Sequence, residues 1–517
     1  MGSENHPPRW RAEATILGLV TLTAVALRLL PGLRTIDDAY ITYRYARNIV
    51  EGVGFVYNPG EPVMGTTTPV YTLLMAAAGW MAGVDAIPGA SVVLNAVADG
   101  VSAALLVLMT RSLVGSRWPA ALLGVLWAIS PKSVTFAIGG METSVYIALM
   151  LGAFLTWLRD RTTLAALLTG LAVLTRPDAL IWAGPLGVAM IGASWVRRKG
   201  SDPVHRLPWR EGAIFMGILL PWLVYGTLTF GNPLTRSISA KAVAYHLAPT
   251  QALGGFVQSY STPFFEFDTF GPRGAVIGAL TYLALSLFGA LFLYRANPRT
   301  LPLTIFPWLH MVIFSIGNPL LFRWYTVPAM PLLFLMIVAG AWGLASRVLG
   351  PDRARWFLAA ASLLWVFTSL RAWTVHPDHG PQRPAPEMAW VKLELLYEEA
   401  GRELAPRVQE ETVIAAADIG AIGWYSSARI LDTLGLVSPQ SSRYYPIDPS
   451  MLATTGYAVS PDLILDELPD FVVILETYGR NGLLRDPRFL ANYQLRRSLA
   501  TDIYESEGML VFERMVE

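Results

Sequence analysis

Two adjacent carboxylates, Asp37 and Asp38, stand just after the first long apolar segment, in a stretch rich in Tyr and Arg. Ionisable groups at the edge of a bilayer are costly, so such a pair indicates a functional site. In a helix running from about 36 to 50, Asp37, Tyr40, Arg44 and Arg47 lie at i, i+3, i+7 and i+10 and share one face. A carboxylate on that face can accept a proton from a sugar hydroxyl, and guanidinium groups can bind phosphate oxygens.

Simpler explanations exist for this helix. Thr35 followed three residues later by Asp38 fits a capping box, so Asp38 can be a helix cap. The charged face can equally belong to an interfacial helix turned toward solvent. Because capping does not account for Asp37, we predict Asp37 as the catalytic carboxylate, with Asp38 beside it.

Further polar motifs interrupt the apolar chain, and each has a structural alternative. Glu142 in GGMET lies near the start of a helix, where the helix dipole stabilises a carboxylate. Arg176 in TRPDAL can pair locally with Asp178. Arg323 can extend to the membrane surface, and the basic loop 231–246 can be a solvated surface. As functional groups, the candidates for the donor phosphate are Arg44, Lys241 and Arg323. Other candidates for substrate contact are Tyr40, Glu142, Arg176, His246, Tyr325 and Asp418.

The composition places the chain in the membrane class. It has 517 residues, of which 53% are hydrophobic and 15% charged, against about 25% charged in soluble domains. The net charge of +1 gives no indication of a nucleic-acid partner. Cysteine is absent, so a disulfide framework and a thiol nucleophile are excluded, and a metal site would need oxygen or nitrogen ligands.

Apolar segments and loop charges predict an all-α polytopic domain over residues 1–375 with eleven spans. The basic connections 111–117, 159–161, 196–211, 295–300 and 347–355 then lie in the cytoplasm, as does the N-terminus. For all these connections to lie on the same side, the apolar stretch 69–83 must not cross the membrane. We therefore predict that it stays within the first outer loop, 32–87, as a partly immersed helix. The predicted spans are 12–31, 88–110, 117–131, 140–158, 163–176, 178–195, 212–230, 275–295, 301–317, 327–346 and 354–372.

Residues 376–517 differ in composition and predict a small α/β domain on the outer surface. Residues 386–405 have helical periodicity, whereas 412–418 and 471–476 have the pattern of buried strands. Residues 496–514 could form a closing hairpin. Asp418 lies in a Gly-rich turn after the first of these strands, without the spacing of a dinucleotide fingerprint or a following helix. This segment is either an acceptor-binding loop or an ordinary strand–turn–strand connection.

The order of these motifs resembles the GT-C superfamily of membrane glycosyltransferases, and most closely the terminal arabinofuranosyltransferases of mycobacterial cell-wall arabinan. The resemblance covers the first 250 residues well and the remainder loosely. It is carried by the motifs DDAY, GVGFVYNPGEPV, GGMET, TRPD, PLTRSISAK, an R-x-Y-x-x-P segment and a D-x-G loop. It implies a polyprenyl-phosphate sugar donor, a glycan acceptor outside the plasma membrane, and Asp37 as a catalytic residue.

The resemblance leaves the sugar open, because related enzymes use mannose, arabinofuranose or aminoarabinose. Some members bind a divalent metal in the first loop, but no convincing ligand set extends beyond Asp37, Asp38 and Glu142, so we predict no obligatory metal or other cofactor.

We therefore expect a multi-pass enzyme of the bacterial plasma membrane, with its active site and C-terminal domain outside and membrane lipid as a further partner. It would transfer arabinofuranose or a similar sugar. A flippase or transporter of lipid-linked sugars is an alternative, although the paired repeats typical of transporters are not evident. A polymerase or ligase of lipid-linked glycans is another.

Overall fold

The chain folds into a helical part that ends near residue 370 and a smaller part built around a sheet. The computed structural model describes residues 9–196, 207–233, 235, 237–377, 379–387, 392–452 and 454–515. The predicted basic connection 196–211 therefore lies mostly outside the described residues, as do residues 388–391. Of the helix predicted over 386–405, the structure describes Lys392–Leu404 as helical, whereas Pro386 belongs to a strand.

The helical part contains a helix at each of the eleven predicted spans and several shorter helices in the loops. Three of its helices, α3, α6 and α18, begin with proline, which is tolerated at the first helical position because its missing N–H has no partner there. The helices are α1 (Arg9–Leu29), α2 (Asp37–Val50), α3 (Pro69–Ala82), α4 (Ile87–Val114), α5 (Arg117–Ile129), α6 (Pro131–Ile138), α7 (Thr143–Leu158), α8 (Thr162–Thr175), α9 (Leu180–Val196), α10 (Trp209–Phe230), α11 (Ser237–Ala244), α12 (Gln251–Ser261), α13 (Phe267–Gly278), α14 (Ala284–Ala296), α15 (Leu301–Gly317), α16 (Arg323–Thr326), α17 (Met330–Leu349) and α18 (Pro351–Leu370).

Six helices of the described chain are long and apolar enough to cross a membrane, and the bent pair α5 and α6 would make a seventh. The six are Arg11–Leu29, Val84–Val114, Trp209–Phe230, Phe267–Ala296, Pro298–Gly317 and Arg323–Leu349. Shorter helices such as α7 and α8, with 16 and 14 residues, fall below the length of about 20 residues that a straight span needs. The polytopic character is thus confirmed, and the count of eleven spans stays a prediction.

The C-terminal part is a five-stranded mixed sheet in the order β4–β3–β5–β7–β6. The predicted strands at 412–418 and 471–476 are β3 and β5, which pair in parallel, and the predicted hairpin is β6 and β7. A separate antiparallel pair, β1 (Trp373–Thr374) and β2 (Ala385–Pro386), follows α18. The strands are β3 (Val413–Ala416), β4 (Arg429–Asp432), β5 (Phe471–Leu475), β6 (Tyr493–Leu499) and β7 (Met509–Arg514), and the helices are α19 (Lys392–Leu404), α20 (Gly420–Ser426), α21 (Pro461–Glu467), α22 (Glu476–Gly479) and α23 (Pro487–Asn492).

Sequence reasoning missed a buried ion pair inside the helical part. Arg28 on α1 and Asp99 on α4 are both fully buried, with Nε and Oδ2 2.8 Å apart. The remaining guanidinium donors of Arg28 contact backbone carbonyls, including Trp127 O, and Ser133 Oγ. Two charges within apolar segments were the available signal, and their contacts join four helices, α1, α4, α5 and α6.

Candidate active site

The charged face of α2 is a docking face for the C-terminal part. Asp37, Tyr40, Arg44 and Arg47 do share one side of the helix, but that side packs against α20. The Asp37 carboxylate accepts the N–H groups of Gly420 and Ala421, at 2.8 and 2.7 Å. We call these four residues the docking face.

The docking face gives intramolecular partners to two residues that were predicted to act on substrate. Asp37 is buried and lies outside the cavities described below, with both carboxylate oxygens bonded to the first turn of α20. Arg44 is buried and donates to the carbonyls of Tyr57, Gly423 and Ala428 at 2.6–2.9 Å. Its Nε, Nη1 and Nη2 are therefore engaged within the protein, and the assignment of Arg44 to a phosphate stays a prediction.

The contact between the two parts is close enough to require glycine. A Cβ at Gly420 would lie 1.8 Å from the backbone oxygen of Asp37. Gly420 begins a short helix, which was not expected after Asp418, so the segment is strand–helix–strand. The close approach puts the N–H groups of this first turn within hydrogen-bonding distance of the Asp37 carboxylate.

Tyr40 belongs to the same contact. Its hydroxyl lies 2.8 Å from the Tyr425 hydroxyl, and it was predicted to touch substrate. Its place is explained by the packing of α2 on the C-terminal part.

The opposite side of α2 faces a cavity of about 210 Å³, where Asp38 lies. The carboxylate of Asp38 is 3.5 Å from Nζ of Lys241 on α11, and their side chains are 30% and 15% exposed. Burial lowers the pKa of Lys241, but the attraction of Asp38 and Tyr325 raises it by more, so the ammonium stays protonated. Of the three cations predicted for a donor phosphate, Lys241 is the one that lines this cavity. We call it the first cavity.

A second charged group in the first cavity comes from two predicted motifs. Arg176 donates from Nη1 to Glu142 Oε1 at 2.8 Å and from Nη2 to Asp178 Oδ2 at 3.0 Å. Arg176 thus pairs locally with Asp178, as the structural alternative stated, and it also pairs with Glu142, a contact that was not predicted from sequence. Burial raises the pKa of Glu142, and Arg176 opposes this shift.

The loop GGMET reaches this cavity because it packs directly on the first-loop segment. The backbone N–H of Ile36 donates to Gly139 O at 3.0 Å. Gly140 has φ +76°, and a Cβ there would lie 1.9 Å from the Tyr43 hydroxyl. A side chain at this position would therefore separate GGMET from α2 and move Glu142 away from Asp38.

The other predicted residues are divided among different places. Tyr325 lines the first cavity, with the Arg176 guanidinium 5.4 Å from its ring centre. Arg323 lines a different cavity. His246 is exposed and lines neither cavity. Its backbone N–H donates to Gly456 O at 2.9 Å. Asp418 accepts a hydrogen bond from the Tyr397 hydroxyl at 3.2 Å and lines neither cavity.

Three carboxyl groups gather where the C-terminal part meets α2. Burial, and then repulsion from Asp418 and Glu394, raise the pKa of Asp37 well above its usual range. Burial and the nearby Asp38 raise the pKa of Asp418 to about 6. Burial raises the pKa of Glu394 to about 8. Glu394 was missed from sequence because nothing distinguishes it from the other glutamates of α19.

The raised pKa of Glu394 predicts that stability falls as the pH rises. Its folded pKa of about 8 lies above the usual 4.5, so the folded protein binds the proton more tightly than the unfolded chain. Its contribution is complete below 4.5 and is lost as the pH rises through about 8. We expect Glu394→Gln, which cannot titrate, to show a smaller loss of thermal stability between about pH 5 and about pH 8 than the unsubstituted protein. Equal slopes for both proteins would contradict this assignment.

The described residues contain no group of three or more His, Cys, Asp or Glu side chains arranged to hold a metal ion. The expectation of a metal-independent enzyme stays a prediction.

Comparisons with known proteins give partial matches in sequence. The model of a domain of unknown function, DUF8728, matches residues 387–512. Over 211 residues the chain is 31% identical to the terminal beta-(1->2)-arabinofuranosyltransferase of Mycobacterium tuberculosis, and this match covers 36% of the chain. It covers 33% of that protein, so the chain matches about a third of the relative's length.

Comparison of structures extends over the whole chain. The ArnT structure from Cupriavidus metallidurans bound to undecaprenyl phosphate gives a TM-score of 0.58 at 12% identity, with 98% of both chains covered. The oligosaccharyltransferase of Archaeoglobus fulgidus in its apo form gives a TM-score of 0.56 at 12% identity and covers 98% of this chain and 75% of that one. The likeness at such identities concerns the fold, and the chain shares the fold of these two proteins.

Proposed function

We propose that the protein is a membrane glycosyltransferase that moves a sugar from a polyprenyl phosphate to a glycan acceptor on the outer side of a bacterial plasma membrane. The observation that carries the proposal is the pair of Asp38 and Lys241 at the first cavity of a GT-C fold. A carboxylate beside a protonated ammonium suits a reaction in which a hydroxyl loses a proton while a phosphate leaves. Arabinofuranose is the proposed sugar, on the partial match to the mycobacterial arabinofuranosyltransferase.

The two charged groups would divide the reaction between them. Asp38 takes the proton from the acceptor hydroxyl, whose oxygen attacks the anomeric carbon of the donor. The bond from that carbon to the phosphate oxygen breaks, and the polyprenyl phosphate leaves with the bonding electrons. Lys241 offsets the charge of this leaving phosphate. In a retaining reaction, Asp38 would instead stabilise an oxocarbenium-like centre.

The remaining polar groups of the first cavity would hold the sugar. Thr66, Thr67 and Thr68 line it and offer hydroxyl groups. The Thr66 and Thr68 hydroxyls lie 3.1 Å apart and face Thr42 on α2. Glu142 and Asp178, fixed by Arg176, offer carboxylate oxygens to sugar hydroxyls.

The direct test is transfer by purified protein in lipid nanodiscs. Decaprenyl-phosphoryl arabinofuranose would be the labelled donor and a synthetic arabinofuranosyl oligosaccharide the acceptor, with mannose and aminoarabinose donors in parallel. We expect the acceptor to gain one labelled sugar. Movement of intact donor lipid across the bilayer without transfer to any acceptor would favour a flippase and overturn the proposal.

Lys241→Ala is expected to weaken binding of the donor lipid. A charge-assisted hydrogen bond contributes about 1.5–3 kcal/mol, which corresponds to about a tenfold to hundredfold loss of affinity. Affinity for the acceptor should change little. The measurement is binding of decaprenyl phosphate to both proteins, with Arg323→Ala as the matched control because Arg323 lies outside the first cavity. An unchanged affinity in Lys241→Ala, with a loss in Arg323→Ala, would place the phosphate at the other cavity.

A further inference from the structure

A second and larger cavity, of about 970 Å³, lies beside the first. Trp324 lines both cavities, in the segment that connects α15 to α17. The walls of the second cavity come from both parts of the chain: Lys132 and Glu266 belong to the helical part, and Glu394 and Tyr504 to the C-terminal part. Its volume falls within the range of about 300–1,000 Å³ that is typical of ligand sites.

We propose that the second cavity binds the glycan acceptor as an uncharged, hydroxyl-rich oligosaccharide. This inference rests on the proposed transferase function, since an acceptor is needed only if sugar is transferred. It assigns the two substrates to different cavities, with the donor phosphate at Lys241 and the acceptor beyond Trp324.

The charges of the second cavity favour a neutral ligand over an anion. Among the residues that line it, the basic side chains are Lys132, Arg323 and Arg371, and the acidic side chains are Glu266, Asp268, Glu387 and Glu394. The ammonium of Lys132 is already bound to the Thr262 carbonyl at 2.6 Å. The numbers of acidic and basic side chains differ by only one, so the cavity offers little net attraction for a phosphate. Sugar hydroxyls, in contrast, can both donate to carboxylates and accept from cations.

Two carboxyl oxygens, from residues that line this cavity, lack a hydrogen-bond partner among the described residues. They are Glu266 Oε1 and Glu394 Oε2, and both atoms are buried. Buried polar atoms are normally bonded, because leaving one without a partner is costly. One of these carboxyl groups belongs to the helical part and the other to the C-terminal part, so a ligand whose hydroxyls both donate and accept hydrogen bonds would suit both.

Aromatic side chains line the same cavity. The rings of Phe322 and Trp324 stack with centres 4.4 Å apart and planes only 4° from parallel, and both line the cavity. The negative face of an aromatic ring attracts the partly positive C–H edges of a neighbouring group. A sugar ring presents such C–H groups on one face and hydroxyls at its rim, which matches the combination of Trp324 with Glu266 and Glu394.

The position of Trp324 gives the ligand a direction. Trp324 lines both the second cavity and the first cavity, which Asp38 also lines. An acceptor held in the second cavity would therefore extend its reacting hydroxyl past Trp324 toward Asp38, while the rest of its sugar residues stay in the larger volume.

The absence of cysteine from the chain allows a site-specific test. In Thr269→Cys, a maleimide adduct would occupy the second cavity, which Thr269 lines. The matched control is Ser498→Cys, whose adduct would stand on the exposed face of β6, away from both cavities. The probes are an arabinofuranosyl tetrasaccharide, a mannosyl tetrasaccharide and decaprenyl phosphate, each measured for binding to the full chain in nanodiscs.

We expect the adduct on Thr269→Cys to weaken binding of one tetrasaccharide by at least about tenfold and to leave decaprenyl phosphate binding within about twofold, with no change in the control. Glu266→Gln, which keeps the side-chain volume, should weaken the same tetrasaccharide by about tenfold. Retained decaprenyl phosphate binding would show that this variant folds.

Other outcomes separate this inference from the proposed function. Three results would overturn the acceptor assignment. Labelling could leave tetrasaccharide binding unchanged, or it could abolish binding of decaprenyl phosphate instead. The third result is that neither tetrasaccharide binds to the unlabelled protein. A different result would overturn the transferase function but support the glycan site. In that case labelling blocks tetrasaccharide binding, yet the protein transfers no sugar from any donor.

Discussion

Replacing Asp38 by Asn is expected to lower the rate of sugar transfer by about a hundredfold to ten-thousandfold, the usual contribution of a positioned general base. The amide keeps the shape of the side chain but cannot take the acceptor proton, and it no longer balances the charge of Lys241 at 3.5 Å. The measurement is the initial rate of transfer at saturating donor and acceptor, with donor binding measured separately to show that the first cavity is intact.

The matched control for Asp38→Asn is the same substitution at its neighbour. Asp37→Asn places an amide against the N–H groups of Gly420 and Ala421, and one of these donors then faces another donor. We expect a loss of about 1–3 kcal/mol in unfolding free energy, because one buried donor is left unpaired. The transfer rate of the folded variant should stay within about tenfold of the unsubstituted protein. If Asp37→Asn loses as much rate as Asp38→Asn while it remains folded, catalysis returns to Asp37.

Arg44→Ala is expected to release the C-terminal part from α2. The substitution removes the donors to three carbonyls, those of Tyr57, Gly423 and Ala428. Each carbonyl left without a partner costs about 1–3 kcal/mol, so the total loss of stability is about 3 kcal/mol or more. Thermal unfolding in nanodiscs and limited proteolysis between the two parts would measure it. Arg44→Lys should recover part of the stability, because one ammonium cannot serve all three carbonyls.

A matched control for Arg44→Ala exists at the same contact between the two parts. Arg429 pairs with Glu61, but its side chain is 50% exposed, so Arg429→Ala should change stability by no more than about 1 kcal/mol. If Arg44→Ala is as stable as the unsubstituted protein but fails to bind decaprenyl phosphate, then Arg44 is a phosphate ligand and the docking face has another role.

Local patterns were enough to predict most of the elements of this fold. Apolar length gave a helix at every predicted span, and strand patterns gave β3, β5 and the hairpin of β6 and β7. The helical spacing of the docking face was also predicted correctly, and polar residues from the first loop, GGMET and TRPD do line one cavity. These features depend on the periodicity of a single element, which the sequence carries directly.

The partner of each polar residue was decided by the tertiary structure. Asp37 and Asp38 are adjacent and chemically identical, yet helical geometry turns one toward α20 and the other toward Lys241, more than 200 positions away in the sequence. Likewise, Arg44 and Lys241 are both cations, but only packing of the C-terminal part surrounds Arg44 with carbonyls. A side chain's type fixes which bonds it can form, whereas its role depends on which groups the packing of distant segments places within about 3 Å.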